Sequence, residues 1–282
     1  MSKLISANFA RLFRNGTFIL YMIFCGGLSL FLIIKRYADY HNNMEYYDNY
    51  LEPIYYTIDG IAFLGLMFIM FAVPVFVANF VCMEYSDGTI RNKLIVGHKR
   101  SNIYFANLIV CTAGALMGVL LNLLINFTLG TVLCGVEVLT VTASLKLILI
   151  NVIAFISLTA VVVMIAMLIN IKAGASVTTV MLTFIMFFVT ISLDNTLFEP
   201  EYYENSFNPK TMETETIKNP DYPTGIKRKV YQTIYDVMPT SHIYETSFLS
   251  TENGGKFAGY DGIMLVVTTA LGIILFRRKD LK

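Results

Sequence analysis

Charged side chains are scarce in this chain of 282 residues, because only 15% are Asp, Glu, Lys or Arg while 56% are hydrophobic. A soluble domain carries about 25% charged residues. The elements of a soluble enzyme are also short and alternate, whereas the apolar runs in this sequence are too long for such elements. The composition therefore excludes an ordinary soluble domain and indicates a membrane protein.

The sequence also lacks the motifs of nucleotide binding and of common hydrolytic chemistry. It contains no GxxxxGK[ST] loop and no HExxH pair, and TENGGKF at 251–257 has the wrong glycine spacing for a phosphate loop. The apolar runs have no ionisable residue of the kind that an intramembrane protease needs. We therefore expect a chain that is not an enzyme, with no cofactor, no metal site and no nucleic-acid partner of its own.

Six uncharged runs approach the length of about 20 residues that a membrane helix needs. The predicted spans cover, in chain order, residues 17–34, 60–83, 103 to about 129, 147–171, 173–193 and 257–276. Only fifteen uncharged residues separate Asp261 from Arg277, so we start the last span at Phe257 and place Asp261 near the outer headgroups. The predicted fold class is an all-α integral membrane protein with six transmembrane helices.

Lysine and arginine are distributed unevenly between the two sides of these spans. One side collects twelve of the 21 basic residues and only three acidic ones, Glu84, Asp87 and Asp280. The twelve are Lys3, Arg11, Arg14, Arg91, Lys93, Lys99, Arg100, Lys172, Arg277, Arg278, Lys279 and Lys282. Since cytoplasmic loops are enriched in Lys and Arg, both termini and the loop after the second span are predicted to be cytoplasmic.

The first sixteen residues have an amphipathic pattern. The basic residues Lys3, Arg11 and Arg14 lie away from one apolar helical face. That face consists of Leu4, Ile5, Phe9, Leu12 and Phe13. Residues 1–16 are therefore predicted to form an interfacial helix on the inner leaflet, with a disordered basic tail as the alternative.

The segment MEYSDGTIRNKLIVGHKRSN, residues 83–102, places a group of charges between the second and third apolar runs. It is longer than a turn between two spans requires. Asp87 and Gly88 indicate a turn, and Gly97 is placed to end a helix. Helical spacing relates Thr89, Ile90, Lys93 and Leu94. We predict a short amphipathic helix within 84–97 that a soluble partner can bind, with a solvated basic loop as the alternative.

EYSDGTIRNKLIVGHKRSNIYFAN, residues 84–107, resembles the signature of the ABC-2-type transporter permeases. In that family a Glu, a Gly-Thr-Ile or Gly-Thr-Leu turn and an Arg follow the second of six spans. The matching positions are Glu84, Gly88, Thr89, Ile90 and Arg100. FRRKDL at 276–281 and VMPTSHIYE at 237–245 are also similar to segments near the last span of these permeases. Asn107 departs from the pattern, because many members carry a Lys shortly after the Arg.

The resemblance implies that residues 84–97 form a coupling helix, which docks on a separate ABC ATPase subunit that binds ATP and Mg²⁺. In this interpretation Ile90 and Leu94 form an apolar ridge at the contact, and Arg91 and Lys93 lie at its rim. Glu84 then meets an arginine of the partner. The candidate ATPase-coupling residues are Glu84, Gly88, Thr89, Ile90, Arg91, Leu94 and Arg100. Six spans form only half of an exporter pathway, so a second permease chain and two ATPase copies are expected.

The predicted organisation has four parts. They are an interfacial helix at 1–16, spans one to five at 17–193 with the coupling helix at 84–97, an extracytoplasmic segment at 194–256, and the last span with its basic tail at 257–282. Among the ABC-2 permeases, the chain resembles the exporters of phenol-soluble modulins and antimicrobial peptides in Gram-positive bacteria. This implies a multi-pass protein of the bacterial cytoplasmic membrane that exports amphipathic or apolar peptides. Drug or lantibiotic extrusion is an alternative within transport, and a membrane sensor or scaffold is the alternative from another class.

Aromatic, methionine and asparagine side chains within the spans are candidates for contact with cargo. They are Phe63, Met67, Met70 and Phe71 in the second span, Asn122 and Asn126 in the third, and Phe184 and Phe187 in the fifth. Flexible methionines and aromatic rings suit varied apolar cargo. Helix packing is the alternative for all of them, and the spacing of the two asparagines favours hydrogen bonds between helices.

Overall fold

Six long apolar helices form the membrane region in the computed structural model, which describes residues 1–42, 58–134, 139–169, 171–208, 213–250 and 253–280. Within these residues, six helical segments are long and apolar enough to cross a membrane. They are α2 (Gly16–Asn42), α3 (Ile58–Ser86), α5 (Arg100–Ile125) with its continuation, α7 (Val141–Leu168), α8 (Lys172–Phe198) and α11 (Gly254–Arg278). The prediction of an all-α membrane protein with six spans is confirmed.

Shorter helices join or flank these spans. They are α1 (Ser2–Phe13), α4 (Thr89–Ile95), α6 (Thr131–Cys134), α9 (Gly225–Val237) and α10 (Pro239–Ser247). The third span is α5 extended by a π-helical turn, Asn126–Gly130, that leads directly into α6. The fifth span, α8, ends at Phe198, and the sixth span, α11, begins at Gly254. The segment between these two spans is therefore shorter than the predicted segment, residues 194–256.

An antiparallel hairpin in this segment between the fifth and sixth spans was not predicted. Strand β1 (Tyr202–Asn208) pairs with β2 (Glu213–Lys218), and the register is irregular between Tyr203 and Ser206. The two strands contain Tyr, Phe, Thr and Ile, which favour extended backbone. Length and apolar runs determine the six spans, but they carry no signal for a short polar hairpin outside the membrane.

Three carboxylates within the helices of the spans are buried, so the expectation that the spans contain no ionisable residue is wrong. Asp59, Glu84 and Asp261 are all fully buried. Asp59 accepts hydrogen bonds from the Leu139 backbone N–H and the Ser144 hydroxyl, both at 3.2 Å. A charge in a sequence does not end a membrane helix when partners within the fold replace its water, as they do here.

The second and fourth spans lie at the centre of the bundle, and the first, fifth and sixth lie around it. These three peripheral spans expose large apolar side chains in the isolated chain, among them Leu20, Phe188 and Val266. Such surfaces are expected where a helix faces lipid or another membrane subunit. The core is therefore formed around the second and fourth spans, and the periphery remains available to lipid and partners.

The first and third spans approach each other closely at a glycine. The Tyr21 hydroxyl donates a hydrogen bond of 2.9 Å to the Ala115 carbonyl, which brings the phenol ring over Gly118. A Cβ atom at Gly118 would lie 2.3 Å from the Tyr21 oxygen. Small residues permit this kind of close contact between membrane helices. Gly118 is therefore required by the fit of the tyrosine.

We predict that Gly118→Ala destabilises the purified protein by about 1–3 kcal/mol, because the added methyl group overpacks the helix contact. Thermal unfolding in detergent measures this effect. Gly27→Ala, in the first span, is the matched control, since a Cβ there meets nothing within 4 Å. Equal unfolding temperatures for the two variants would contradict the assigned packing.

Candidate functional site

Helix α4 follows the second span through a tight turn at Gly88. This glycine has φ 65° and ψ 9°, the left-handed conformation that residues with a side chain adopt at a cost. The Thr89 hydroxyl donates to the Glu84 carbonyl at 3.1 Å and closes the turn. Gly97, with φ 92°, lies just beyond the end of the helix. The turn directs α4 away from the second span, and its seven residues lie outside the membrane-spanning helices.

The Glu84 carboxylate joins three other elements to the end of the second span. One oxygen, Oε1, forms ion pairs with Arg11 of α1, at 2.6 Å, and with Lys93 of α4. The other, Oε2, accepts a hydrogen bond of 2.8 Å from the side-chain amide of Asn107 in the third span. A single buried carboxylate thus connects α1, α4 and two spans.

Asn8 closes this group of side chains, which we call the Glu84 cluster: Asn8, Arg11, Glu84, Lys93 and Asn107. The Lys93 ammonium donates to the Asn8 side-chain oxygen at 2.9 Å, and the Asn8 amide donates to the Asn107 oxygen at 3.0 Å. The Arg11 guanidinium stacks 4.0 Å above the Phe80 ring. Burial lowers the pKa of Lys93, and the Glu84 carboxylate opposes this shift. The cluster holds two basic side chains around one acid.

Three of the predicted docking residues, Glu84, Ile90 and Lys93, contact the bundle of their own chain. Glu84 is fully buried and its oxygens are occupied by the cluster, so the prediction that it meets an arginine of another subunit is wrong. Ile90 is 1% exposed and belongs to the hydrophobic core, and Leu94 is half-buried against that core. Helical spacing identified an apolar face correctly, but this face packs on the chain's own spans.

The opposite side of α4 is exposed and includes two large apolar side chains. Ile95 is 82% exposed and Val96 is 76% exposed. Arg91 and Asn92 are exposed beside them. We call these four residues the outer face of α4. Apolar side chains flanked by a cation and an amide form a surface that suits a soluble protein partner.

Arg100 binds the end of the sixth span, and its predicted role in coupling to the ATPase stays a prediction. Its guanidinium donates hydrogen bonds to the carbonyls of Phe276, at 3.1 Å, Arg277, at 3.0 Å, and Lys279. Carbonyls at a helix C-terminus have no partner within their own helix, so a guanidinium can cap them. Arg100 thereby joins the start of the third span to the end of the sixth.

Lys279 extends this connection to the second and fourth spans. Its ammonium donates to the Met167 carbonyl at 2.9 Å and to the Tyr85 hydroxyl at 3.3 Å. Burial lowers the pKa of Lys279 to about 8. The basic segment FRRKDL that resembles a family motif therefore has a structural role at the same end of the bundle as α4.

The predicted cargo residues of the second and fifth spans divide into buried and partly exposed groups. Phe63 and Met70 are fully buried in the core, so their prediction as residues facing cargo is wrong. Met67 and Phe71 are partly exposed. Phe71 is the residue of this group that forms aromatic contacts with the fifth span.

Phe71 begins a series of aromatic contacts that reaches α10. Its ring stacks on Phe184, with centroids 4.5 Å apart, and meets the edge of Phe187 at 5.1 Å. Phe187 contacts Tyr244 at 6.1 Å, and Tyr244 contacts Phe248 at 5.0 Å. We call these five residues the aromatic series. It extends from the interior of the spans to the helix that precedes the last span.

Asn122 and Asn126 hold spans together, so the packing interpretation is the one the structure supports. The Asn122 oxygen accepts hydrogen bonds from Ser29, at 2.7 Å, and from Asn126, at 3.1 Å. The Asn122 amide donates to the Ala62 carbonyl at 2.9 Å. Both asparagines are fully buried, so the prediction that they line a cargo path is wrong.

Asn8, Arg11 and Asn107 are the cluster residues that the sequence did not identify as functional. The available signal was indirect: Asn8 and Arg11 are three residues apart in a helix, and Asn107 is a polar residue within an apolar run. Neither observation shows that α1 folds back over the third span. The contact depends on residues about 100 positions apart in the chain.

We predict that Glu84→Gln destabilises the chain by about 3 kcal/mol, because it leaves two partly buried cations without a counter-charge. Thermal unfolding in detergent measures the loss, and faster tryptic cleavage at Arg11 reports release of α1. Asp87→Asn removes a negative charge three residues later, at an exposed position, and should change stability by less than about 0.5 kcal/mol. Equal behaviour of the two variants would refute the structural role of Glu84.

Comparison with known proteins places this geometry in a family. The model for the ABC-2 family transporter protein matches residues 4–190, which include most of α1, all of α4, the first four spans and α8 as far as Thr190. No curated protein and no solved structure matches the chain. Membership of this family implies a membrane permease component that associates with an ABC ATPase. The match covers about two thirds of the 282 residues, and the chain belongs to the ABC-2 family of transporters.

Proposed function

We propose that this permease is part of an exporter that moves amphipathic or apolar peptides out of a bacterial cell. Two copies of a separate ABC ATPase supply the energy and bind the ATP and Mg²⁺, and a second permease chain completes the pathway. The observation that carries this proposal is the two-sided arrangement of α4. Its inner side is bound to the bundle through Ile90 and Lys93, while its outer face exposes Ile95 and Val96.

This arrangement suits the transmission of movement from an ATPase to the spans. A subunit that binds the outer face of α4 acts on a helix held by the Glu84 cluster, which contacts α1 and the second and third spans. Arg100, five residues after α4, is bound to the end of the sixth span. Displacement of α4 therefore directly changes contacts with four elements, which are α1 and the second, third and sixth spans.

The aromatic series supports a cargo with an apolar side. Phe184 and Phe248 are exposed on it, and Phe71, Phe187 and Tyr244 are partly exposed, so together they offer rings along one surface. Such a surface can contact the apolar side of an amphipathic helix at several points. Met67 adds a flexible side chain near Phe71. A drug or a lantibiotic with similar apolar groups is the alternative cargo.

The exposed apolar faces of the first, fifth and sixth spans support a pair of permease chains. Two bundles that meet through one of these faces would enclose a pathway between them, in the closed symmetry that membrane and soluble dimers share. An identical chain or a similar permease would satisfy this geometry.

The positions of the termini support a cytoplasmic location for both. α1 contacts α4 through the Glu84 cluster, and Lys279 contacts Tyr85 at the end of the second span. Both terminal segments therefore lie at the same end of the bundle as α4. This end carries the excess of Lys and Arg, which is typical of the cytoplasmic side.

We predict that replacing Ile95 and Val96 with Ser releases the ATPase when the complex is purified. Truncation of a buried interface anchor costs about 1–4 kcal/mol, or roughly tenfold to a thousandfold in affinity. Both side chains are exposed in the permease alone, so the variant should fold normally. The measurement is the ratio of ATPase to permease after affinity purification.

Ile226→Ser is the matched control, because Ile226 is 81% exposed and lies in α9, between the fifth and sixth spans. It should keep a full complement of ATPase. If the double variant also keeps the ATPase and its coupled turnover, α4 is a solvated surface helix, and a sensor or scaffold role gains support.

The orientation is tested by single cysteines in a Cys134→Ala background, in which Cys25, Cys82 and Cys111 remain buried. Cysteine at Lys218, on the exposed hairpin, should react with an impermeant thiol reagent in intact cells. Cysteine at Asn92 of α4 should react only after the membrane is made permeable. Labelling of Asn92→Cys from outside would reverse the proposed topology.

A further inference from the structure

A groove lies between α1 and the cytoplasmic end of the second span. Its volume is about 380 Å³, and its lining residues are Ala7, Ala10, Arg11, Arg14, Asn15 and Met83. Ala7 and Ala10 carry only methyl groups on the helix side that faces the groove, which leaves room above them. The groove does not belong to the outer face of α4 or to the aromatic series.

The walls of the groove are held in place by hydrogen bonds. The Asn15 side-chain oxygen accepts from the backbone N–H groups of Thr17, at 2.9 Å, and Phe18, at 3.2 Å, and so caps the first span. The Asn15 amide donates to the Met83 sulfur at 3.1 Å. Arg11 is fixed by Glu84 and by the Phe80 ring. The groove is therefore a preformed feature of the fold.

Positive charge in the groove exceeds negative charge. Glu84 is a single carboxylate shared by Arg11 and Lys93, and residues 1–16 contain no Asp or Glu. Arg14 is exposed and forms no ion pair within the residues that the structure describes. The Arg11 Nε–H is buried and has no acceptor in the same part of the chain. The first span also begins at Gly16, so the positive end of its helix dipole lies beside the groove.

We propose that this groove binds the phosphate group of an anionic phospholipid from the inner leaflet. A phosphate diester offers acceptors for the Arg14 guanidinium, and its negative charge offsets the excess positive charge of Arg14 and Arg11, which both line the groove. The groove lies where the chain enters the membrane, between α1 and Gly16, which is the depth of lipid headgroups. Phe13, exposed next to Arg14, can contact the acyl chains at that depth.

This site holds α1 against the membrane surface as well as against the bundle. A lipid phosphate bound to Arg14 stabilises the end of α1 beside the Glu84 cluster, which shares Arg11 with the groove. The proposed orientation of the chain in the membrane decides only which leaflet supplies the lipid. Lipid binding by the permease alone does not require the ATPase, so failure of the proposed function leaves it unchanged.

The test is a titration of the purified full-length permease with phosphatidylglycerol or phosphatidylcholine, followed by native mass spectrometry. Phosphatidylglycerol should bind preferentially. Arg14→Gln should weaken its binding about fivefold, the effect of one basic residue near a lipid surface. Ala10→Leu fills the groove and should reduce binding to the phosphatidylcholine level. Both positions are exposed, so neither variant should lower the unfolding temperature.

Arg278→Gln is the matched control, since it removes an exposed arginine at the same end of the bundle and should leave binding unchanged. Unchanged lipid binding in Arg14→Gln and Ala10→Leu would overturn the proposal. If those variants instead lose the ATPase on purification, the groove docks an acidic surface of that subunit. If inorganic phosphate at the same concentration as the phosphatidylglycerol displaces that lipid, the groove is a site for free phosphate. That result would also overturn the proposal.

Discussion

The buried carboxylate of Glu84 is the interaction on which this end of the molecule depends. An isolated carboxylate inside a protein is strongly unfavourable, and it remains ionised only where cations and hydrogen-bond donors surround it. Here Arg11, Lys93 and Asn107 supply them, and each comes from a different helix. The cost of burying one charge therefore requires α1, α4 and the third span to assemble at the end of the second.

This requirement explains why α4 can act as a rigid attachment although it has only seven residues. A helix of that length is unstable alone, and contacts with the rest of the fold must hold it. Lys93 and Ile90 anchor its inner side, and Arg100 anchors the chain that follows it. The outer face is left exposed by the same contacts. A partner that binds this face meets a surface whose orientation is fixed by the spans.

The sequence predicted the features that depend on a local pattern of residues. It did not predict which neighbour each side chain contacts. Six apolar runs, the Gly88 turn and two amphipathic helices follow from composition, spacing and backbone preference. Periodicity shows that Ile90 and Leu94 share a face, and that Phe63, Met70 and Phe71 lie close together on the second span, but it does not show which structure covers them. The partners of Glu84 and Arg100 lie up to about 180 positions away, and no local pattern reports such contacts. The hairpin was not predicted because the sequences of short polar strands resemble those of loops.

Asn107 shows how the cluster determines the residue type that one position accepts. Its side-chain oxygen accepts from Asn8 while its amide donates to Glu84, so the position needs both a donor and an acceptor. A lysine can only donate, and it would add a third cation to a single carboxylate. The Asn8 amide would then lose its acceptor. In this chain the second cation comes from Lys93 of α4, and an amide at position 107 leaves the carboxylate free to bind it. The amide at position 107 and the attachment of α4 are therefore two aspects of one balance of charge.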